Sequence, residues 1–188
     1  MSAVQGHHYA NPTNHFWRCL HLSGFTPRLL LPSEDSTLPE KYNLGLTNLV
    51  ERPSTSEAEL SSQEMASSVP ALLARVARLY PRIICFVGKG IWLHVERAFV
   101  LSKSKSKTGV TPTFAYGLQP YKAVHDAKAS IHETLFYVFP STSGRVVSHQ
   151  RNDKVELFKR LKEDLERLKS DTLDTGFMRV IHLSAGAQ

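Results

Sequence analysis

Three short apolar runs, separated and followed by segments of helical period, constrain this chain more than any other feature. Tyr42 to Val50 reads YNLGLTNLV, Arg82 to Val87 reads RIICFV, and Thr134 to Pro140 reads TLFYVFP. Each has the length of one strand and is flanked by breakers, the pattern of strands buried on both faces of a parallel sheet. Between them, Ser61-Ser62-Gln63-Glu64 fits a capping box, and Leu72, Leu73, Val76 and Leu79 recur at helical spacing up to Tyr80-Pro81. Pro70 is expected to kink or restart that helix. Asn14 opens a short helix through Phe16, Trp17, Leu20 and Leu22 that Gly24 ends, and Gly90 to Phe99 forms another after the turn Gly88-Lys89. Val155, Phe158, Leu161, Leu165 and Leu168 give the last helix its apolar stripe. Strands that alternate with helices specify an α/β layout.

The organisation is one domain over residues 1–169, then a flexible carboxyl-terminal tail, 170–188, in which no period is visible. Ser102 to Thr108, SKSKSKT, reads as a mobile basic loop of low complexity. With 188 residues, 41% of them hydrophobic and 21% charged, the chain can bury one substantial core. Lys and Arg number 23 against 17 Asp and Glu, a net charge of +6, and the pI is near 9.4. That balance favours an anionic partner such as nucleic acid. No apolar run approaches the roughly 20 residues that span a bilayer, and the opening MSAVQGHHYA lacks a secretory apolar stretch. No membrane association and an intracellular, reducing compartment are therefore expected. Cys19 and Cys85 lack metal-type spacing and read as reduced core thiols.

Three segments could carry chemistry. Gly6-His7-His8-Tyr9 and Asn11-Pro12-Thr13-Asn14-His15-Phe16-Trp17 crowd hydrogen-bonding and aromatic groups ahead of a helix start, where free N–H groups attract anions. His7, His8 and His15 raise the alternative of a metal-dependent hydrolase, but adjacent histidines point apart and no carboxylate or cysteine lies near them in sequence, so no metal is expected. In Gly45-Leu46-Thr47-Asn48-Leu49 an amide interrupts an apolar run close to its carboxyl end, where open α/β sheets bind ligands. Asn48 could offer an acceptor and a donor to a planar amide, or merely end the strand in a turn. Phe139-Pro140-Ser141-Thr142-Ser143-Gly144-Arg145 offers hydroxyls, backbone N–H groups and an arginine suited to phosphates, or is an ordinary Ser/Gly connection. Gly88-Lys89-Gly90 lacks the spacing of a phosphate-binding P-loop.

Taken in order, GHHYANPTNHFWRCL, LPEKYNLGLTNLVER, ELSSQE, YPRIICFVGKGIW, YGLQP and VFPSTSGR resemble successive blocks of the mismatch-specific uracil/thymine DNA glycosylases, across about residues 1 to 169. The resemblance implies a three-layer α/β/α fold with a short, mainly parallel central sheet. It implies a base-excision-repair enzyme of the nucleus, acting on double-stranded DNA as a monomer without cofactor. Such an enzyme flips uracil, or thymine, mispaired with guanine out of the stack and hydrolyses its N-glycosidic bond.

By matching position, the resemblance assigns Tyr9 to stack on the flipped base, and His8, Asn14 and Asn48 to line its pocket. Ser54 falls near the attacking water, although Pro53-Ser54-Thr55-Ser56-Glu57 departs from the family's Thr-Thr-Pro-Gly-Ser. Lys89, Ser141 and Ser143 fall where the family grips phosphates, and Arg145 where a side chain fills the vacated gap. Relatives begin the domain with a strand ending in Gly-x-Asn-Pro-Gly, whose asparagine polarises the water. That motif would precede Met1, so the expectation is a fold without its first strand, impaired hydrolysis, and the alternative of a catalytically inactive module that binds mismatched DNA.

Overall fold

The computed structural model describes residues 2–54, 59–101, 114–125 and 129–183. The basic run expected as a mobile loop, 102–108, lies outside the described residues. Four strands, β1 (Ile83–Val87), β2 (Gly117–Val124), β3 (Glu133–Phe139) and β4 (Arg179–Ile181), form one sheet in the order β1-β3-β2-β4. β1 runs parallel to β3 and β4 parallel to β2, while β2 and β3 form an antiparallel pair. The α-helices among the described residues are α1 (Ser2–Gln5), α2 (Phe16–Leu22), α3 (Leu38–Tyr42), α4 (Ser62–Leu79), α5 (Lys89–Leu101) and α6 (Arg151–Lys169).

The alternation of side chains along β3 creates the three layers. Tyr137 and Phe139 join a cluster with Phe16, Trp17 and Leu20 of α2, Leu38 of α3, and Val155, Phe158 and Leu161 of α6. Phe136 and Val138 face the opposite side, among Val69 and Leu72 of α4 and Trp92, Val95 and Phe99 of α5. β1 divides likewise, Cys85 and Val87 to the first cluster and Ile84 and Phe86 to the second. Phe139 stacks on Phe158 with centroids 4.3 Å apart. Full burial of each such ring stabilises by about 1.5–3 kcal/mol. The expected α/β/α architecture is therefore the observed one.

Four local expectations change. YNLGLTNLV is not a strand: Tyr42 ends α3, Asn43 closes that helix with a left-handed φ of 53°, and the following residues run on without a ladder partner among the described residues. Leu44 and Leu46 still drop onto the first cluster, so an apolar alternation that mimics a strand is spent on packing. Pro70 does not interrupt α4, which runs unbroken from Ser62 to Leu79. Pro70 and Ala66, whose carbonyl loses its helical partner, both face solvent, and water can take the donor's place. The sheet gains β2, whose register shifts between Leu118 and Lys122 around Pro120, a residue that cannot donate to a ladder. Finally, the segment expected as a flexible tail supplies β4, because Arg179–Ile181 pairs with Tyr121–Ala123 and buries Met178 and Ile181.

Candidate functional site

The parallel β1 and β3 end together. Val87 is in register with Phe139, and the N–H of Gly88 donates to the Phe139 carbonyl at 3.0 Å. Gly88-Lys89 and Pro140-Ser141 thus leave the sheet at the same height, at the carboxyl rim where α/β sheets place ligands. Lys89 opens α5, exposed, with its Nζ 4.4 Å from the centroid of Phe114.

Beyond Phe139 the chain folds into a tight loop whose own hydroxyls organise it. The Ser141 Oγ accepts from the Ser143 N–H, and the Ser143 Oγ from the Arg145 N–H, each at 3.3 Å. Two anchors come from elsewhere: the His15 N–H donates to the Thr142 carbonyl at 2.9 Å, and the Lys154 Nζ donates to the Ser143 carbonyl at 3.0 Å. Gly144 sits against residue 13, where a Cβ would come within 2.5 Å of the Thr13 carbonyl oxygen. The loop presents Arg145, exposed, at its tip.

The histidine-rich segment docks on this loop through residues 13–15 and is fixed at its other end by Asp35. One carboxylate oxygen lies 3.1 Å from the His7 Nδ1, and the other takes the His8 N–H at 2.9 Å and its Nδ1 at 3.2 Å. Burial raises the Asp35 pKa, but the His8 N–H and the two imidazoles outweigh it and hold the carboxyl below its ordinary range. The Trp17 indole donates to the His8 carbonyl at 3.2 Å. Tyr9 then takes a left-handed φ of 52° and stacks on Phe16, with centroids 3.9 Å apart and planes at 17°. The stack covers one ring face and fixes the plane of the ring. Burial, aided by Cys85, pushes the Tyr9 phenol far above its ordinary value. The Asn14 side-chain oxygen accepts from the Phe16 N–H at 2.9 Å, closing the turn into α2 and keeping its amide N–H groups for other partners.

Asn48 and Ser54 are less tightly tied. Arg75 of α4 reaches the Thr47 hydroxyl and, at 3.3 Å, Glu51, which pins the stretch carrying an exposed Asn48 to the helix. Leu46 shares the first cluster with Tyr9, and Leu49 packs on the second. Ser54 is half-buried, and residues 55–58 of its departing motif lie outside the described residues. No described contact joins Asn48 or Ser54 to Tyr9. What the fold does join is residues 13–15 to the loop at Thr142–Gly144, with Tyr9 held on Phe16 and Lys89 on the same rim.

Each of the three histidines His7, His8 and His15 has another partner. His7 and His8 turn their Nδ1 atoms to Asp35, His15 faces Lys154 at 3.5 Å, and no group of three potential ligands occurs among the described residues. Burial and the neighbouring Lys154 charge lower the His15 pKa. His15 borders an open depression with Gln150, Arg151 and Asn152 at the start of α6. Cys19 and Cys85 are free thiols, raised by burial to about 11 and about 12, and so are poor nucleophiles.

Three contributors escape a reading of the sequence. Phe16 reads there as helix core, yet it backs Tyr9. Asp35 lies 27 residues beyond His8, and nothing local in Ser33-Glu34-Asp35-Ser36 marks it. Lys154 left one detectable signal, a cation immediately before the apolar stripe that starts at Val155, where burial is costly.

A family model described as the uracil DNA glycosylase superfamily matches residues 1–166. The chain is 33% identical over 171 residues to a G/U mismatch-specific uracil DNA glycosylase of Schizosaccharomyces pombe, an alignment that covers 88% of this chain and 47% of that protein. The chain thus spans about half the length of that relative. With the family match running from the histidine segment through the Ser141–Arg145 loop and most of α6, the chain belongs to the uracil DNA glycosylase superfamily.

Proposed function

We propose that the rim of this sheet binds double-stranded DNA containing a G·U or G·T mismatch, receives the flipped pyrimidine, and hydrolyses its N-glycosidic bond to leave an abasic site. The observation that carries this reading is the mutual locking of two loops, the aromatic and amide segment 8–16 and the hydroxyl and arginine loop 141–145. A flipped nucleotide must be held by its base and its phosphates at once, which two rigidly joined loops can do.

In this reading Tyr9 stacks on the pyrimidine, and His8, Asn14 and Asn48 border it with hydrogen-bonding groups. Lys89, Ser141 and Ser143 contact the phosphates of the damaged strand. Arg145 enters the duplex and offsets unstacking that costs about a few kcal/mol. Ser54 helps orient the water. Gly-x-Asn-Pro-Gly, the motif whose asparagine the resemblance makes responsible for polarising that water, occurs nowhere in the 188 residues. Retention of mismatched DNA without hydrolysis is the second reading.

Duplexes differing only in G·U, G·T, A·U or G·C test both readings. Alkali-labile sites in the G·U strand under single-turnover conditions establish the glycosylase; selective retention of G·U DNA without strand breaks establishes the binding module. A protein that neither cleaves nor prefers the mismatched duplexes would sink both.

A further inference from the structure

The buried cation beneath the Ser141–Arg145 loop is not required for the packing of the core. Lys154 is 1% exposed, one position ahead of Val155, Phe158 and Leu161, which carry α6 into the core. Burying an ammonium costs several kcal/mol, and apolar replacements of similar volume often match or exceed the stability of buried ions. A methionine would fill the same space.

What the ammonium adds is a set of links. Its Nζ donates to the Ser143 carbonyl at 3.0 Å and lies 3.5 Å from the Nδ1 of His15, whose backbone N–H holds the Thr142 carbonyl. The Ser143 hydroxyl in turn accepts from the N–H of Arg145. Among the described residues no carboxylate forms an ion pair with Lys154, and burial lowers its pKa. Its direct partners are one backbone carbonyl and one imidazole nitrogen, so no carboxylate sits against the positive charge held below a loop of serine hydroxyls and an arginine.

We infer that Lys154 is a positioning residue for DNA. It fixes the Ser143 carbonyl so that Arg145 is presented in one geometry, and its charge is completed when a strand phosphate settles on the loop. This rests on the DNA-binding reading given above.

The test uses the full chain and a duplex carrying a tetrahydrofuran abasic analogue opposite guanine, with binding read by fluorescence anisotropy. Lys154→Met is expected to melt close to the unchanged protein yet bind about tenfold more weakly, with Lys154→Arg recovering part of the loss. Because the effect passes through the loop tip, Lys154→Met combined with Arg145→Ala is expected to bind no more weakly than the worse single variant, a coupling that a merely structural lysine would not show. Should Lys154→Met fail to fold, Lys154→Gln, which keeps a donor and drops the charge, carries the same cycle. Unchanged binding in the Lys154 variant, or losses that add fully with Arg145→Ala, overturns the inference. If the unchanged protein itself does not prefer the abasic duplex to a matched one, the DNA-binding reading fails first and takes this inference with it.

Discussion

Asp35 grips His8 twice, by the backbone N–H at 2.9 Å and by the ring Nδ1 at 3.2 Å, so that one carboxylate sets both the path of the chain and the face of the imidazole. The contact spans 27 residues and orients the segment that leads into Tyr9.

Replacing Asp35 by alanine leaves a part-buried N–H and two imidazoles without their acceptor, which costs about 1–3 kcal/mol. Urea denaturation should show that loss. The sign with pH follows from the lowered folded pKa: the stabilisation is present above the ordinary carboxylate value of 3.8 and is lost as pH falls through the folded value. Acid titration of Asp35→Asn should lack this component.

Gly144→Ala places a Cβ within 2.5 Å of the Thr13 carbonyl oxygen, and backbone cannot yield as a side-chain tip can. Overpacking of this kind costs about 1–3 kcal/mol. The strain falls on the junction between the two loops, so affinity for G·U duplexes should drop more steeply than the melting temperature. A variant that binds like the parent would show that the junction does not matter.

His15 titrates below its ordinary value of 6.5 because burial and Lys154 disfavour its charged form. The unfolded chain therefore takes up a proton before the folded one, and the contribution of His15 to stability, complete above pH 6.5, declines as pH falls through the lowered value. Thermal melts between neutral and mildly acid pH should steepen in the parent relative to His15→Gln.

Arg145 and Lys89 are exposed, so truncating either to alanine should leave stability within about 0.5 kcal/mol. If Lys89 neutralises one phosphate, Lys89→Ala should shallow the slope of log affinity against log salt by about 0.9. Arg145→Ala should erode the preference for flipped over matched DNA. Equal loss on every duplex would assign Arg145 to the backbone instead.

Legibility in the sequence followed the range of the interactions. RIICFV and TLFYVFP are recognisable because burial on both faces makes a strand uniformly apolar, and the α2 start because Asn14, which takes the Phe16 N–H, is the helix's sequence neighbour. YNLGLTNLV misled because alternation records burial and says nothing of pairing. β2 was hidden by Pro120 and by a register shift that breaks its period, and β4 by being only three residues long. At the site, the histidine segment and the serine loop carry dense local signals, while Asp35 and Lys154 act across the chain, Lys154 reaching His15 over 139 residues. Such partners become visible only once the layers are assembled.

The shared height at which β1 and β3 release their loops has an engineering corollary. Lengthening either exit, even by one residue, would tilt one half of the rim against the other. His125 and His132, which pair where β2 ends and β3 begins, lie at the end of β3 opposite the rim. A dye or affinity handle attached there would leave the surface of the rim untouched.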